Sequence, residues 1–235
     1  MARNNLIFFS AAFLACLAAI QGCKDEEPVQ AVLTDYNYFP VETGNWIVYD
    51  VDSIVHLEDD DGTNEPDTSI AYYHYQVKET IDSAFTDGEG DLAFRILRET
   101  RQQDTLPWTF MNLWTCKRTS ISAQKVEDNV RYVKLSFPVS TRRTWNGNAY
   151  NSYPAENYSF SDIHTPQDIG PFHFDSTVTV SQLEQVSLID IKLRKEKYAA
   201  GVGMVYKQND SLNLNLIGQI KNGIEFSLTI QSYGR

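Results

Sequence analysis

Hydrophobic and polar residues alternate with a period of two along most of the chain. The alternation is clearest in residues 133–137, 177–181, 189–193, 212–216 and 224–231. Such a pattern is typical of strands that bury one face and leave the other in water. No window carries the sustained 3.6-residue stripe that a helix requires, so the pattern predicts an all-β protein.

Four further strands are predicted in the first half of the chain, at residues 46–57, 71–81, 92–101 and 108–117. Together these segments give roughly ten short antiparallel strands, which predicts an antiparallel β-sandwich or a curled half-barrel. Between the last two strands we predict a hairpin turn at Asn222-Gly223, because both residues tolerate positive φ.

The first residues have the pattern of an export signal. Arg3 supplies positive charge, residues 6–20 are mostly apolar, and Gly22 is a small residue before Cys23. Fifteen helical residues cover about 22 Å, which is less than the roughly 30 Å hydrocarbon core of a membrane. We therefore predict a signal peptide over residues 1–22 rather than a membrane-spanning helix.

The end of this segment resembles the bacterial lipoprotein signal, in which an aliphatic residue, a small residue and a cysteine surround the cut. Ile20, Gly22 and Cys23 match it, whereas Gln21 departs from the usual small residue. The resemblance implies that Cys23 carries the lipid anchor that attaches the protein to the membrane. The residues behind the cysteine resemble the acidic surface-export signal of Bacteroidota lipoproteins, with a solvated acidic linker as the alternative; they are Lys24, Asp25, Glu26 and Glu27.

Removal of the signal leaves a strongly acidic chain. Loss of Arg3 leaves 19 basic against 31 acidic residues, a formal charge of −12. Such a surface lacks the clustered cations that bind nucleic acid, so we expect no nucleic-acid partner. We divide the chain into the signal (1–22), a lipidated cysteine with an acidic linker (23–35), and a single all-β domain (36–235).

No residue pattern indicates catalysis or a cofactor. Cys116 has no partner for a disulfide after Cys16 leaves and Cys23 is acylated, and the four histidines lack the spacing of metal ligands. Two acidic loops, at 58–67 and 82–91, leave calcium binding open, although neither follows the EF-hand order. We assign no catalytic residue, no metal ligand and no cofactor.

The loop at residues 144–154 carries the best candidates for binding a ligand. It contains Trp145, Tyr150 and Tyr153. Exposed aromatic rings offer a rigid, amphipathic surface to sugars and protein partners. The alternative is that these tyrosines are ordinary strand residues that bury their rings.

Three longer segments resemble uncharacterised Bacteroidota surface lipoproteins: residues 38–54, 174–180 and 198–206. The resemblance implies an outer-membrane location, lipid-anchored and facing the cell exterior, and an all-β fold, but no activity. We expect a non-enzymatic binding or accessory module with an envelope protein or a glycan as partner. The alternative is a glycosidase-like surface hydrolase whose carboxylates meet only in the fold.

Overall fold

The computed structural model describes residues 35–59 and 67–235, and in these residues the chain forms one antiparallel sheet. The prediction of an all-β antiparallel fold is confirmed, with twelve strands rather than ten. The strands are β1 (Trp46–Asp59), β2 (Asp67–Thr86), β3 (Leu92–Arg101), β4 (Thr109–Arg118), β5 (Ser122–Glu127), β6 (Val130–Ser136), β7 (Thr144–Asn146), β8 (Asn157–Ile169), β9 (Phe172–Val186), β10 (Asp190–Ala199), β11 (Gly203–Leu214) and β12 (Ile220–Gly234).

The sheet curls until it is nearly closed into a barrel. Its order is β6-β5-β4-β3-β2-β1-β12-β11-β10-β9-β8-β7, so the first and last strands pair at its centre. The two edge strands approach each other, because the Val133 amide donates to the Gly147 carbonyl at 2.9 Å and the Trp145 indole donates to the Val133 carbonyl at 2.9 Å. Of the two predicted architectures, the curled sheet is therefore the correct one.

The segment before β1 lies across one end of the barrel. A 3-10 turn, Tyr36–Tyr38, is held there by Arg118, which donates to the carbonyls of Tyr36 at 2.9 Å and Phe39 at 2.8 Å. The Gly201 amide, in the turn between β10 and β11, donates to the Asn37 carbonyl at 2.8 Å. These bonds fix the segment to two turns of the same end.

Apolar side chains fill much of the interior. They come from strands throughout the sheet, and Val51, Val178, Val180 and Val205 have no exposed surface. Full burial of a side chain of this size contributes about 1.5–3 kcal/mol. In β5, β6 and β9, however, four consecutive residues are buried, so both faces of these strands are covered there.

Two predictions for the last hairpin are wrong: the position of its turn, and the continuation of the alternation to Leu216. Asn222 and Gly223 lie within β12, where Gly223 pairs with Leu212, and the turn lies between Asn215 and Gly218 instead. Asn215 stabilises that turn, since its side-chain oxygen accepts the backbone amides of Ile217 at 3.1 Å and Gln219 at 2.9 Å. The alternation beginning at Leu212 therefore ends before Leu216, which is 92% exposed at the tip of the hairpin.

The predicted signal peptide (1–22), Cys23 and the acidic residues 24–27 lie outside the described residues, and so does most of the acidic loop at 58–67. In the part of the chain that the structure describes, no helix has the length and apolar character that crossing a membrane requires.

Candidate functional site

Charged side chains meet inside the barrel. Glu79 of β2 is buried between two cations: its Oε1 accepts from Arg98 Nε at 3.0 Å, and its Oε2 accepts from Lys125 Nζ at 2.7 Å. Both cations also face the ring of Trp114, with the Arg98 guanidinium 3.5 Å and the Lys125 ammonium 4.8 Å from its centroid. These residues lie on the four adjacent strands β2 to β5 and form the first half of an interior ionic cluster.

The second half of the cluster surrounds Lys134 of β6. Its ammonium lies 2.9 Å from Glu127 and 2.6 Å from Glu196, which has no exposed surface. Lys207 lies farther from the same two carboxylates, at 3.6 and 3.8 Å. The Tyr198 hydroxyl donates to the second oxygen of Glu196 at 2.6 Å, so both oxygens of this carboxylate are hydrogen-bonded.

These contacts set the ionisation of the buried carboxyls. Burial works to raise the pKa of Glu79, but the charges of Lys125 and Arg98 outweigh it and leave the pKa below its usual value. The same balance, with Lys134 and Lys207 as the cations, lowers the pKa of Glu127 and of Glu196. All three glutamates are therefore ionised at neutral pH.

Sequence reasoning did not find this cluster, because the alternation places charged residues such as Lys134 on the face of the strand opposite the apolar core. Charged residues on a strand usually face solvent, so nothing in the sequence marks these ones as buried. The sequence does place carboxylates and cations on neighbouring strands. Whether two of them meet depends on the register between the strands, which the sequence does not specify. The cluster consists of Glu79, Arg98, Lys125, Glu127, Lys134, Glu196 and Lys207.

A pocket opens at the end of the barrel that the first segment crosses, and we call it the mouth pocket. It has a volume of about 290 Å³, and Glu79, Lys125 and Cys116 lie at its floor. The Tyr49 side chain also lines it, and the Tyr49 hydroxyl donates to the Met204 carbonyl at 2.9 Å. Apolar side chains form most of the wall: Phe39, Ile47, Ile81, Ile96, Val202 and Met204.

Cys116 is buried in this pocket and forms no disulfide within the described chain. Burial raises the pKa of its thiol to about 12, and the nearby charge of Lys125 offsets only part of that effect. A neutral thiol is a poor nucleophile. The residue therefore contributes a small side chain and a weak S–H donor to the floor.

The three aromatic candidates of the 144–154 loop occupy different surroundings. Tyr150 is 53% exposed and Tyr153 is 54% exposed, and both line a surface cleft beside Arg131. Trp145 does not reach this cleft, because it packs against Phe160 with ring centroids 4.5 Å apart. We call the cleft the tyrosine cleft; it is lined by Glu89, Val126, Asn129, Val130, Arg131, Tyr150, Asn151, Ser152 and Tyr153.

Hydrogen bonds and an ion pair hold the tyrosine cleft in shape. The Asn151 side-chain Nδ2 donates to the Arg131 carbonyl at 2.9 Å, and the Tyr153 backbone amide donates to the Asn151 Oδ1 at 2.9 Å. Arg131 donates to Glu89 at 2.6 Å and lies 5.8 Å from the ring centroid of Tyr150. The cleft thus combines two exposed rings with polar groups fixed in position.

The acidic loop at 82–91 bends over Lys117 of β4. The ammonium lies 2.8 Å from Asp87, 2.5 Å from Glu89 and 2.9 Å from Asp91. These three carboxylates are close enough together to hold a metal ion, but the lysine charge lies among them. The hydrogen bond from Lys117 lowers the pKa of Asp87 to about 2, and burial only partly opposes it.

Comparisons with known proteins identify no relative. No protein-family model and no curated protein matches the chain. One solved structure is similar, that of a "putative lipoprotein" from Parabacteroides distasonis, with 8% identity and a TM-score of 0.39 over 84% of this chain and 98% of the other. At this level the likeness carries no argument about the properties of the present chain.

Proposed function

We propose that the chain is a lipid-anchored outer-membrane protein that faces the cell exterior and acts as a non-enzymatic binding module for a glycan. Ile20, Gly22 and Cys23 support the anchor, because they match the bacterial lipoprotein signal. The acidic residues at 25–27 support export to the surface by the same kind of resemblance. Two or three acyl chains on one cysteine give stable attachment, whereas one chain binds only marginally.

The observation that carries the binding proposal is the tyrosine cleft. Tyr150 and Tyr153 are both more than half exposed and share one cleft. The apolar faces of sugar rings pack on aromatic rings, while their hydroxyls bind amides and charged groups. Asn129, Arg131 and Glu89 supply such polar groups beside the two rings.

The buried carboxylates favour a binding role over the hydrolase alternative. A glycosidase needs one protonated carboxylic acid as its proton donor, and enzymes obtain it by raising a pKa. The pKa values of Glu79, Glu127 and Glu196 are instead lowered, since neighbouring cations outweigh burial at each one. None of these three glutamates is suited to that task.

The binding proposal is tested with residues 24–235 and an array of bacterial envelope oligosaccharides. For the oligosaccharides that bind, Tyr150→Ala and Tyr153→Ala should each weaken the affinity at least tenfold. Tyr72→Ala and Tyr73→Ala are matched controls, because these tyrosines are 73% and 54% exposed on β2, and they should leave the affinity unchanged. No binding on the array, or equal loss in both pairs, would overturn the assignment to the cleft.

The anchor is tested separately on protein extracted from membranes. The intact mass should correspond to a chain that starts at Cys23 and carries acyl groups. Cys23→Ser should yield a form without acyl mass that remains in the soluble fraction after cell lysis. A mature chain that starts at another residue would contradict the proposed cut.

A further inference from the structure

The mouth pocket is distinct from the tyrosine cleft and has its own chemistry. Its wall is mainly apolar, formed by residues such as Phe39, Ile81 and Met204, while its floor carries charge. The volume of about 290 Å³ is roughly twice that of an engineered cavity of about 150 Å³ that holds benzene. The space therefore suits an apolar body of about two fused rings.

Lys125 at the floor has hydrogen-bonding capacity left. Its ammonium has three N–H donors. Among the described residues it donates one hydrogen bond, to Glu79 at 2.7 Å, and it also faces the ring of Trp114. Its side chain is only 8% exposed, so bulk water is largely excluded from the remaining donors. An acceptor inside the pocket would complete its bonding.

The charge balance at the floor favours an anionic acceptor. Glu79 is shared by Lys125 and Arg98, which leaves one net positive charge in this group. Over the whole ionic cluster, the four cations Arg98, Lys125, Lys134 and Lys207 face three carboxylates. A ligand with one negative charge would bring the interior to neutrality.

We infer that the mouth pocket binds a small apolar molecule that ends in a carboxylate. The apolar body lies against the wall, and the carboxylate accepts a hydrogen bond from Lys125. The Tyr49 hydroxyl already donates its proton to the Met204 carbonyl, so Lys125 is the donor that holds the carboxylate. The Glu79 carboxylate, already bonded to two cations, repels a second anion less than a free carboxylate would.

Three probes with one apolar body test the inference by calorimetry at pH 7: naphthalene-2-carboxylate, 2-naphthylmethanol and 2-naphthylmethylammonium. The carboxylate should bind at least tenfold more tightly than the alcohol, and the ammonium should bind most weakly. Lys125→Met should remove the preference for the carboxylate. Equal affinities for the three probes would overturn the proposal, since the pocket would then act only as an apolar cavity.

A second variant keeps the test decisive if Lys125→Met does not fold. Val202 is half-buried in the turn at the rim, so Val202→Trp can fill the entrance and leave the ionic cluster in place. This variant should lose carboxylate binding, and undiminished binding would contradict the location. Tyr153→Ala should bind the probes normally, so failure of this inference and failure of the glycan proposal are distinguishable.

Discussion

Lys134 Nζ lies 2.6 Å from Glu196 Oε1, and the two side chains are 5% and 0% exposed. Taking two charges out of water costs several kcal/mol for each, and their mutual contacts must offset that cost. The structure achieves this with a second carboxylate, Glu127, and with the Tyr198 hydroxyl. The pair is therefore part of a set in which each buried charge has a partner.

Removal of Lys134 should destabilise the fold strongly. Lys134→Met removes the nearest cation of Glu127 and Glu196 and leaves them Lys207 at 3.6 and 3.8 Å, and losing one partner of a buried pair costs about 3–5 kcal/mol. The free energy of unfolding in urea measures the effect. Lys221→Met is the matched control, because Lys221 and Glu58 form a 2.8 Å pair with side chains 42% and 44% exposed. The control should cost under about 1 kcal/mol, and equal losses would contradict a special role for the interior cluster.

Stability should fall in acid. The folded-state pKa values of Glu79, Glu127 and Glu196 lie below the ordinary value of 4.5, since cations outweigh burial. The unfolded chain therefore takes up protons first as the pH falls, and it gains stability relative to the folded chain. Their contribution is fully present above about pH 5 and is lost progressively as the pH drops below 4.5. Urea unfolding between pH 7 and pH 3 measures this, and a constant free energy would contradict it.

Stability should also fall in strong alkali. Burial raises the pKa of the Tyr49 and Tyr198 hydroxyls well above 10, and neighbouring carboxylates add to the effect. The pKa of Lys134 is raised as well, because Glu127 and Glu196 outweigh its burial. These groups lose protons first in the unfolded chain, so their contribution is present below about pH 10 and is lost as the pH rises further. In an alkaline titration, the tyrosinate absorbance of the buried tyrosines should appear only as the protein unfolds. Ionisation of all tyrosines while the protein is still folded would contradict the burial of Tyr49 and Tyr198.

The 82–91 loop should gain cation affinity when its lysine is neutralised. Lys117→Met removes the charge among Asp87, Glu89 and Asp91, whose carboxylate oxygens lie within 4.8 Å of one another. Calcium should then raise the melting temperature of the variant, with a dissociation constant on the order of 10⁻⁴–10⁻³ M. Lys117→Arg keeps the charge and is the control. Equal calcium effects in the two variants would show that the ammonium does not block the loop.

The acidic residues that follow the proposed lipid-bearing Cys23 should decide which side of the membrane the domain faces. Protease added to intact cells should digest the wild-type domain. After replacement of Asp25, Glu26 and Glu27 by Ala, the domain should stay protected until the cells are opened. Replacement of Glu42 by Ala leaves the predicted export residues intact and should not change the digestion. Equal sensitivity of all forms would refute an export role.

Alternation predicted the position of several strands well. The boundaries 92–101 agree with β3, and β1 and β4 begin within one residue of the predicted positions. The strand β5 was missed because its inward-facing positions include the charged residues Lys125 and Glu127. Its sequence therefore does not alternate between apolar and polar residues. In β8, Tyr158 and Phe160 alternate, but Asp162 and His164 then have positive φ and interrupt the pairing with β9.

The candidate sites could be predicted only in part. Tyr150 and Tyr153 stand in a polar, turn-rich loop, which indicated exposure, whereas Trp145 belongs to β7 and packs inward. The mouth pocket combines residues from several strands and two turns that are far apart in the chain. Because that combination depends on how far the sheet curls, no local pattern in the sequence reports it.

The pairing of β1 with β12 determines when the fold can be completed. The first six strands form one meander and the last six another, and the two halves are joined by hydrogen bonds between β1 and β12. Until β12 has emerged, β1 remains an open edge that can pair with other chains. Contacts between residues so distant in sequence form slowly. Under the export proposed above, this edge therefore needs protection until β12 pairs with it.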